Sequence, residues 1–173
     1  MLQSVKTRAV TPGDLPAISR LHADVFGPGR FVRSAYRVRE GKVLLSRFCR
    51  IAHQEGHVLA ALRMTEIRIG GTGGAALLGP VAVETAVRGQ GFGRRLISDA
   101  LDDVKRAGLK LVVLVGDESY YGRLGFKPVP PGQIAFPGPV NPGRILYVEL
   151  EAGALARYRG VISADPNADA GSG

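Results

Sequence analysis

The chain has 173 residues, 45% of them hydrophobic and 22% charged, the balance of a globular protein rather than a disordered one. Lys and Arg number 23 against 15 Asp and Glu, for a net charge of +8, and the 24 glycines are about twice the usual share. A single cysteine, Cys49, excludes an intrachain disulfide and a cysteine-cluster metal site. No apolar run approaches the ~18 residues needed to span a bilayer, and residues 1–8 lack the basic-then-apolar pattern of a secretory signal. A cytoplasmic protein without a membrane partner is expected.

Residues 5–10 are a short strand candidate. Asp14 is placed to cap a helix whose apolar residues Ile18, Leu21, Val25 and Phe26 fall on one face, and Gly27-Pro28-Gly29 ends it. The segment from Arg30 to Glu40 reads as a second helix with Arg30, Arg33 and Arg37 on one side. Arg47–Ala52 and His57–Ile69 read as two strands joined at Gln54-Glu55-Gly56. Gly70, Gly71, Gly73 and Gly74 suggest a flexible hairpin loop. Ala75–Val83 is almost wholly apolar, as in a central strand. Leu96, Ile97, Ala100, Leu101 and Val104 recur at helical spacing before Gly108. Lys110–Val115 is a further buried strand, Ser119–Leu124 a short helix, and Ile145–Leu150 a last strand. This order predicts an α/β fold with a mixed sheet, mostly antiparallel around one parallel strand–helix–strand unit. Residues 1–160 are expected to form one domain, and 161–173, small and polar at the end, a disordered tail.

The positive charge is local. Residues 1–70 carry a net +7 and residues 71–173 a net +1. Within residues 30–50, Arg30, Arg33, Arg37, Arg39, Lys42, Arg47 and Arg50 face only Glu40. A nucleic-acid binder usually spreads basic residues over several elements and interleaves aromatics, so nucleic acid is not favoured as a partner. The patch is open to two readings, a solvated arginine-rich helix face or a surface that steers an acidic acceptor.

The second glycine cluster lies between the apolar strand and the helix, in Arg88-Gly-Gln-Gly-Phe-Gly-Arg94. Small residues there leave backbone N–H groups open at a helix N-terminus, which favours an anion, and Arg88, Arg94 and Arg95 add charge. The spacing is neither the dinucleotide fingerprint nor a P-loop. Val83-Glu-Thr-Ala-Val-Arg88-Gly-Gln-Gly91-Phe-Gly93 resembles the acetyl-CoA-binding signature of the GNAT acetyltransferases. Tyr120-Tyr121-Gly-Arg-Leu-Gly125-Phe126 resembles the family's later aromatic motif, and with Val115-Gly116-Asp117 it is most similar to the YhbS-like branch.

The resemblance implies an N-acetyltransferase that moves the acetyl group of acetyl-CoA to an amine by direct attack in a ternary complex. Val81, Ala82 and Val83 would offer backbone hydrogen bonds to pantetheine and the thioester, and Arg88, Gly89, Gln90, Gly91, Phe92, Gly93 and Arg94 would cradle the pyrophosphate. Tyr121 aligns with the tyrosine that protonates the departing thiolate. Glu84 and Glu66 are candidates for the base that deprotonates the amine, and each can equally be a solvated strand-end carboxylate. The asparagine of the family pattern falls on Leu114. Acetyl-CoA is the expected co-substrate and no metal is expected: His53 and His57 form H-x-x-x-H without the glutamate of the zinc motif. Expected partners are a small-molecule or peptide amine, a second copy in a homodimer, and an acidic acyl carrier protein. The rival readings are an acyltransferase using another acyl-CoA or a carrier-bound acyl group, and a non-catalytic CoA-binding regulatory module.

Overall fold

The computed structural model describes residues 5–27 and 46–166. Arg30, Arg33, Arg37, Arg39 and Lys42, and the helix expected over Arg30–Glu40, lie outside the described residues, as do residues 167–173.

The described elements are strand β1 (Lys6–Ala9), helix α1 (Leu15–Phe26), strands β2 (Arg50–Gln54), β3 (His57–Ile69) and β4 (Thr72–Val83), helix α2 (Phe92–Arg106), strand β5 (Leu111–Val115), the short helix α3 (Glu118–Tyr121), and strands β6 (Lys127–Pro128), β7 (Ile134–Ala135), β8 (Ile145–Glu149) and β9 (Gly160–Ala164). The main path through the sheet runs β1-β2-β3-β4-β5-β8-β6. All neighbours on it for which the register is defined are antiparallel except β4 and β5. The sheet is therefore mixed and mostly antiparallel, with α2 as the crossover of its one parallel step on this path.

Two elements depart from the sequence reading. Gly160–Ala164, which runs into the segment expected as a tail from 161, forms β9, antiparallel to β3 and parallel to β7. Tyr158, buried beside it, donates its hydroxyl to the Gly73 carbonyl at 2.7 Å, and Gln133 Nε2 donates to the carbonyls of Leu155 and Tyr158, both at 2.9 Å. Asp14 does precede α1, but its side chain does not cap that helix. It accepts instead from both terminal nitrogens of Arg8, at 2.7 and 2.8 Å, and from the Thr11 amide at 2.8 Å. The Arg8 guanidinium, helped by Thr11, holds the Asp14 carboxyl well below the usual carboxylate range.

Three buried clusters hold the sheet. On one face α2 lays Phe92, Leu96, Ile97, Ala100 and Val104 over Ala60, Leu62, Met64, Ala76 and Leu78, each large side chain contributing about 1.5–3 kcal/mol by leaving water. On the other face, α1 places Leu21 on Ile51, Ala61 and Ala82. The C-terminal segment packs Ile134, Phe136, Tyr158 and Ile162 against Ile67, Ile69, Ala75 and Leu77. Polar ties lock α2 to the sheet edge: Thr7 donates to Asp99 at 2.6 Å, and Arg50 to Asp103 at 2.8 Å.

The glycine-rich hairpin is tight rather than flexible. Gly70 and Gly71 (φ 56° and 86°) are the two-residue turn between β3 and β4, a conformation with φ positive at both positions. A β-carbon on Gly70 would overlap the Arg159 carbonyl oxygen, whereas one on Gly71 would meet nothing. Gly70→Ala is therefore expected to destabilise the protein by about 2 kcal/mol or more beyond Gly71→Ala, read from thermal or denaturant midpoints. Equal losses in the two variants would contradict the packing described.

Candidate active site

The site begins where two strands part. β4 and β5 pair in parallel only at Ala75–Leu77 with Leu111–Val113. Beyond Val113, β5 continues beside β8, with Leu114 opposite Leu146 and Val115 opposite Ile145. β4 instead stays with β3, where Val81, Ala82 and Val83 face Leu62, Ala61 and Ala60. No ladder joins Leu78–Val83 of β4 to Leu114–Val115 of β5, and this unpaired stretch is the gap between the two strands.

A bulge sits at the parting. Leu78 pairs with Met64 and Val81 with Leu62, so β4 carries one residue more than β3 across the Gly79–Pro80 step, whose peptide is cis. The extra residue reverses the side-chain alternation. Ala76 and Leu78 face the α2 core before the bulge, and Val81 and Val83 pack against that core after it. Ala82 packs towards α1.

Backbone direction follows from one hydrogen bond. The Glu84 amide donates to the Leu59 carbonyl of β3 at 2.8 Å. Successive residues of a strand point their peptide groups to opposite edges, so Ala82 turns to β3, and Val81 and Val83 turn theirs into the gap. Both valines thus present an N–H and a C=O along one wall.

The loop after β4 closes the open end. Gly89 and Gly91 have φ of 82° and 89°, and among the described residues nothing lies within 4 Å of where a β-carbon would stand on either. The α2 amides of Phe92, Gly93 and Arg94 head the helix without partners inside it. Phe92 buries its ring in the α2 core, which leaves only its backbone for a ligand. Gly93 is different: a β-carbon there would lie 3.3 Å from the Tyr120 phenol oxygen and 3.5 Å from Val83 Cγ2. Arg88, Gln90, Arg94 and Arg95 are exposed around the loop.

Across the gap, β5 leads through Gly116 and Asp117 into α3. Tyr121 lies half-buried against the α2 core, edge-on to Phe126 at 6.0 Å between ring centroids. Its ring occupies the space above Gly116, where a β-carbon would stand 2.7 Å from Cδ2, so this position accepts only glycine if the ring is to stay. Asp117, which starts α3, is held by Arg144 at 3.3 Å. Leu114, in the place of the family's asparagine, is 1% exposed in the core and offers a ligand no side-chain hydrogen bond.

The two candidate bases stand at opposite ends of this wall. Glu84 follows Val83 at the open end, its carboxylate 3.5 Å from His57 Nε2. Glu66 pairs with Ala76, before the strands part, and accepts from Arg47 Nε at 2.9 Å. The structure therefore gathers Val81, Val83, the loop from Arg88 to Arg94, and Tyr121 around one gap, and leaves Glu66 behind its closed end. Sequence reasoning missed the bulge, although Gly79-Pro80 inside a strand was its signal, and it missed the close seat of Tyr120 on Gly93. Among the described residues no group of three His, Cys, Asp or Glu could hold a metal ion, and no helix is long and apolar enough to cross a membrane.

Comparison with known proteins identifies the family and the fold. The chain is 28% identical over 121 residues to the uncharacterised N-acetyltransferase YhbS of Escherichia coli K12, covering 69% of this chain and 72% of that protein. Its fold matches the crystal structure of E. coli YhbS in complex with CoA, with a TM-score of 0.78 at 24% identity over 94% of this chain and 90% of that one. A GNAT family acetyltransferase from Brucella melitensis in complex with acetyl-CoA matches with a TM-score of 0.61 at 28% identity, over 83% and 95% of the two chains. The family model for the acetyltransferase (GNAT) domain matches residues 6–129, most of the chain and every element around the gap, and the chain belongs to the GNAT acetyltransferase family.

Proposed function

We propose that this acetyltransferase moves the acetyl group of acetyl-CoA to an amine by direct attack in a ternary complex. The observation that carries the reading is the parting of β4 from β5 with the peptide groups of Val81 and Val83 turned into the gap. An acylated pantetheine arm carries amides that can pair with such an edge, as a missing strand would. The pyrophosphate then falls at the Gly89–Gly93 loop, where open backbone, the α2 dipole and Arg88, Arg94 and Arg95 favour a dianion.

With the arm so placed, the thioester lies deeper in the gap. A β4 amide donating to its carbonyl oxygen stabilises the negative charge that develops as the amine nitrogen attacks the carbonyl carbon. The attack forms the C–N bond, and collapse of the tetrahedral intermediate re-forms C=O and breaks C–S. The sulfur leaves as thiolate and takes a proton from the Tyr121 hydroxyl, and the amine's surplus proton passes to a base. We assign that base to Glu84. It lies three residues from Val81, roughly 10 Å along extended chain, within reach of a short water chain. Glu66 stands on the far side of the strand junction in an ion pair with Arg47. The acceptor is an amine; the segment that carries most of the basic patch, residues 30–45, lies outside the described residues.

Acetyl-CoA consumption with a panel of amines, peptides and protein N-termini tests the reading. Tyr121→Phe is expected to lower kcat by about 10²-fold with the KM for acetyl-CoA within about twofold, the signature of an interaction made in the transition state. Gly116→Ala, which pushes the ring aside, should follow Tyr121→Phe. Gly122→Ala, where a β-carbon meets only Glu118 Cγ at 3.6 Å, should behave as wild type. With five tyrosines and no tryptophan, near-ultraviolet circular dichroism reports the ring displacement in Gly116→Ala directly. Glu84→Gln should lower kcat, and Glu66→Gln should not. Tight CoA binding with no turnover on any acceptor, or full activity in Tyr121→Phe, would overturn the assignment.

A further inference from the structure

Tyr120 and Tyr121 are consecutive, with ring centroids 4.8 Å apart and planes at 83°, and they do different things. Tyr121 turns inward onto Gly116 and the core. Tyr120 reaches the other way, across the mouth of the gap, and sets its phenol oxygen over Gly93 in the first turn of α2, on the side where a β-carbon of Gly93 would also meet Val83 and Val81. A residue that follows β5 thereby touches the elements that follow β4, where the two strands have no ladder between them. Tyr120 is also 43% exposed, the one exposed phenylalanine or tyrosine among the described residues. Its hydroxyl has no hydrogen-bond partner among those residues. An aromatic ring held by a neighbouring ring at a ligand cleft, with a free donor at its tip, has the makeup of a binding contact rather than of a core residue.

We propose that Tyr120 is a positioning residue that closes the α2 side of the β4–β5 gap over the bound donor and governs how long acetyl-CoA is retained, separately from the chemistry at Tyr121. The proposal rests on the reading that the donor's arm lies in this gap. With the donor in place, the Tyr120 ring stands between the arm and solvent, and its hydroxyl is offered to the polar groups of the arm beside α2. A β-carbon on Gly93 would crowd that phenol at 3.3 Å and press it outward, and the Gly93 backbone N–H remains available to the pyrophosphate.

Calorimetric titration of CoA into wild type, Tyr120→Ala, Tyr120→Phe, Gly93→Ala and the Tyr120→Ala/Gly93→Ala double variant tests it, alongside steady-state kinetics. Tyr120→Ala is expected to weaken CoA about tenfold and raise the KM for acetyl-CoA by a similar factor, while kcat at saturating donor falls less than about threefold. Tyr120→Phe should recover most of the affinity, because it keeps the ring. Gly93→Ala should also weaken CoA by unseating the phenol, and the double variant should be no weaker than the worse single variant, since both remove one contact. The melting midpoint without CoA should hold within a few degrees in Tyr120→Ala, and the upward shift on adding CoA should shrink. Wild-type CoA affinity in Tyr120→Ala, additive losses in the double variant, or a fall in kcat as large as that of Tyr121→Phe would each overturn the proposal. If Tyr121→Phe still loses kcat while Tyr120→Ala binds CoA normally, only this inference fails; if the wild-type protein does not bind CoA, the functional reading fails with it.

Discussion

Backbone polar groups inside a protein must find partners, and the site depends on one place where a strand has been denied its neighbour. β5 pairs with β8 along its whole length but with β4 only as far as Val113, and β4 keeps to β3 beyond Leu77, so the other edge of β4 there faces a gap. The bulge at Gly79–Pro80 falls at that point, and Pro80 has no N–H to offer either side. Everything that gives the gap its chemistry follows from the two strands ending where they do: α2 starts after β4 and points its amide end at the opening, and α3 starts after β5 and brings Tyr121 against the opposite wall.

Rigid packing around a cleft of unpaired backbone is what lets a cleft bind rather than collapse. On one face α2 is held by its apolar stripe and by the Thr7–Asp99 and Arg50–Asp103 contacts. On the other, α1 fastens Ala82, the one residue of the Val81–Val83 wall that turns to β3. Far from the gap, β9, Tyr158 and Gln133 cover the half of the sheet where β4 and β5 are still paired. The parted ends are thus cantilevered from a sheet buried on both sides, so that in the proposed complex the arm enters without the strands being pulled apart.

How much of this was legible in the sequence depended on the length scale of each signal. The α2 stripe repeats over four turns, and β4 is a long apolar run; both declare themselves by periodicity. The loop from Arg88 to Arg94 is legible as a break, because its glycines stand between an apolar strand and a periodic helix. β6 and β7, at two residues each, have no period to read, and β9 was hidden in a segment whose last residues are small and polar. The bulge escaped because one extra residue in an apolar strand leaves composition unchanged and alters only which residues share a face. Gly93 shows a different limit. Its spacing beside Gly89 and Gly91 suggested a phosphate contact alone, whereas the fold also sets the phenol of a tyrosine 27 residues later in the chain 3.3 Å from where its β-carbon would stand. The two glutamates were equal in sequence, and only the register separates them, one on each side of the strand junction.

In the proposed complex the Val81 and Val83 peptide groups face a ligand instead of a strand. Amide hydrogen exchange, resolved by residue with and without CoA, measures this directly. The amides of Ala82 and Glu84, which the strand register turns to β3, should exchange slowly in both states, and those of Val81 and Val83 should become slow only when CoA is bound. CoA binding that leaves Val81 and Val83 exchanging as they do in the free protein would contradict it.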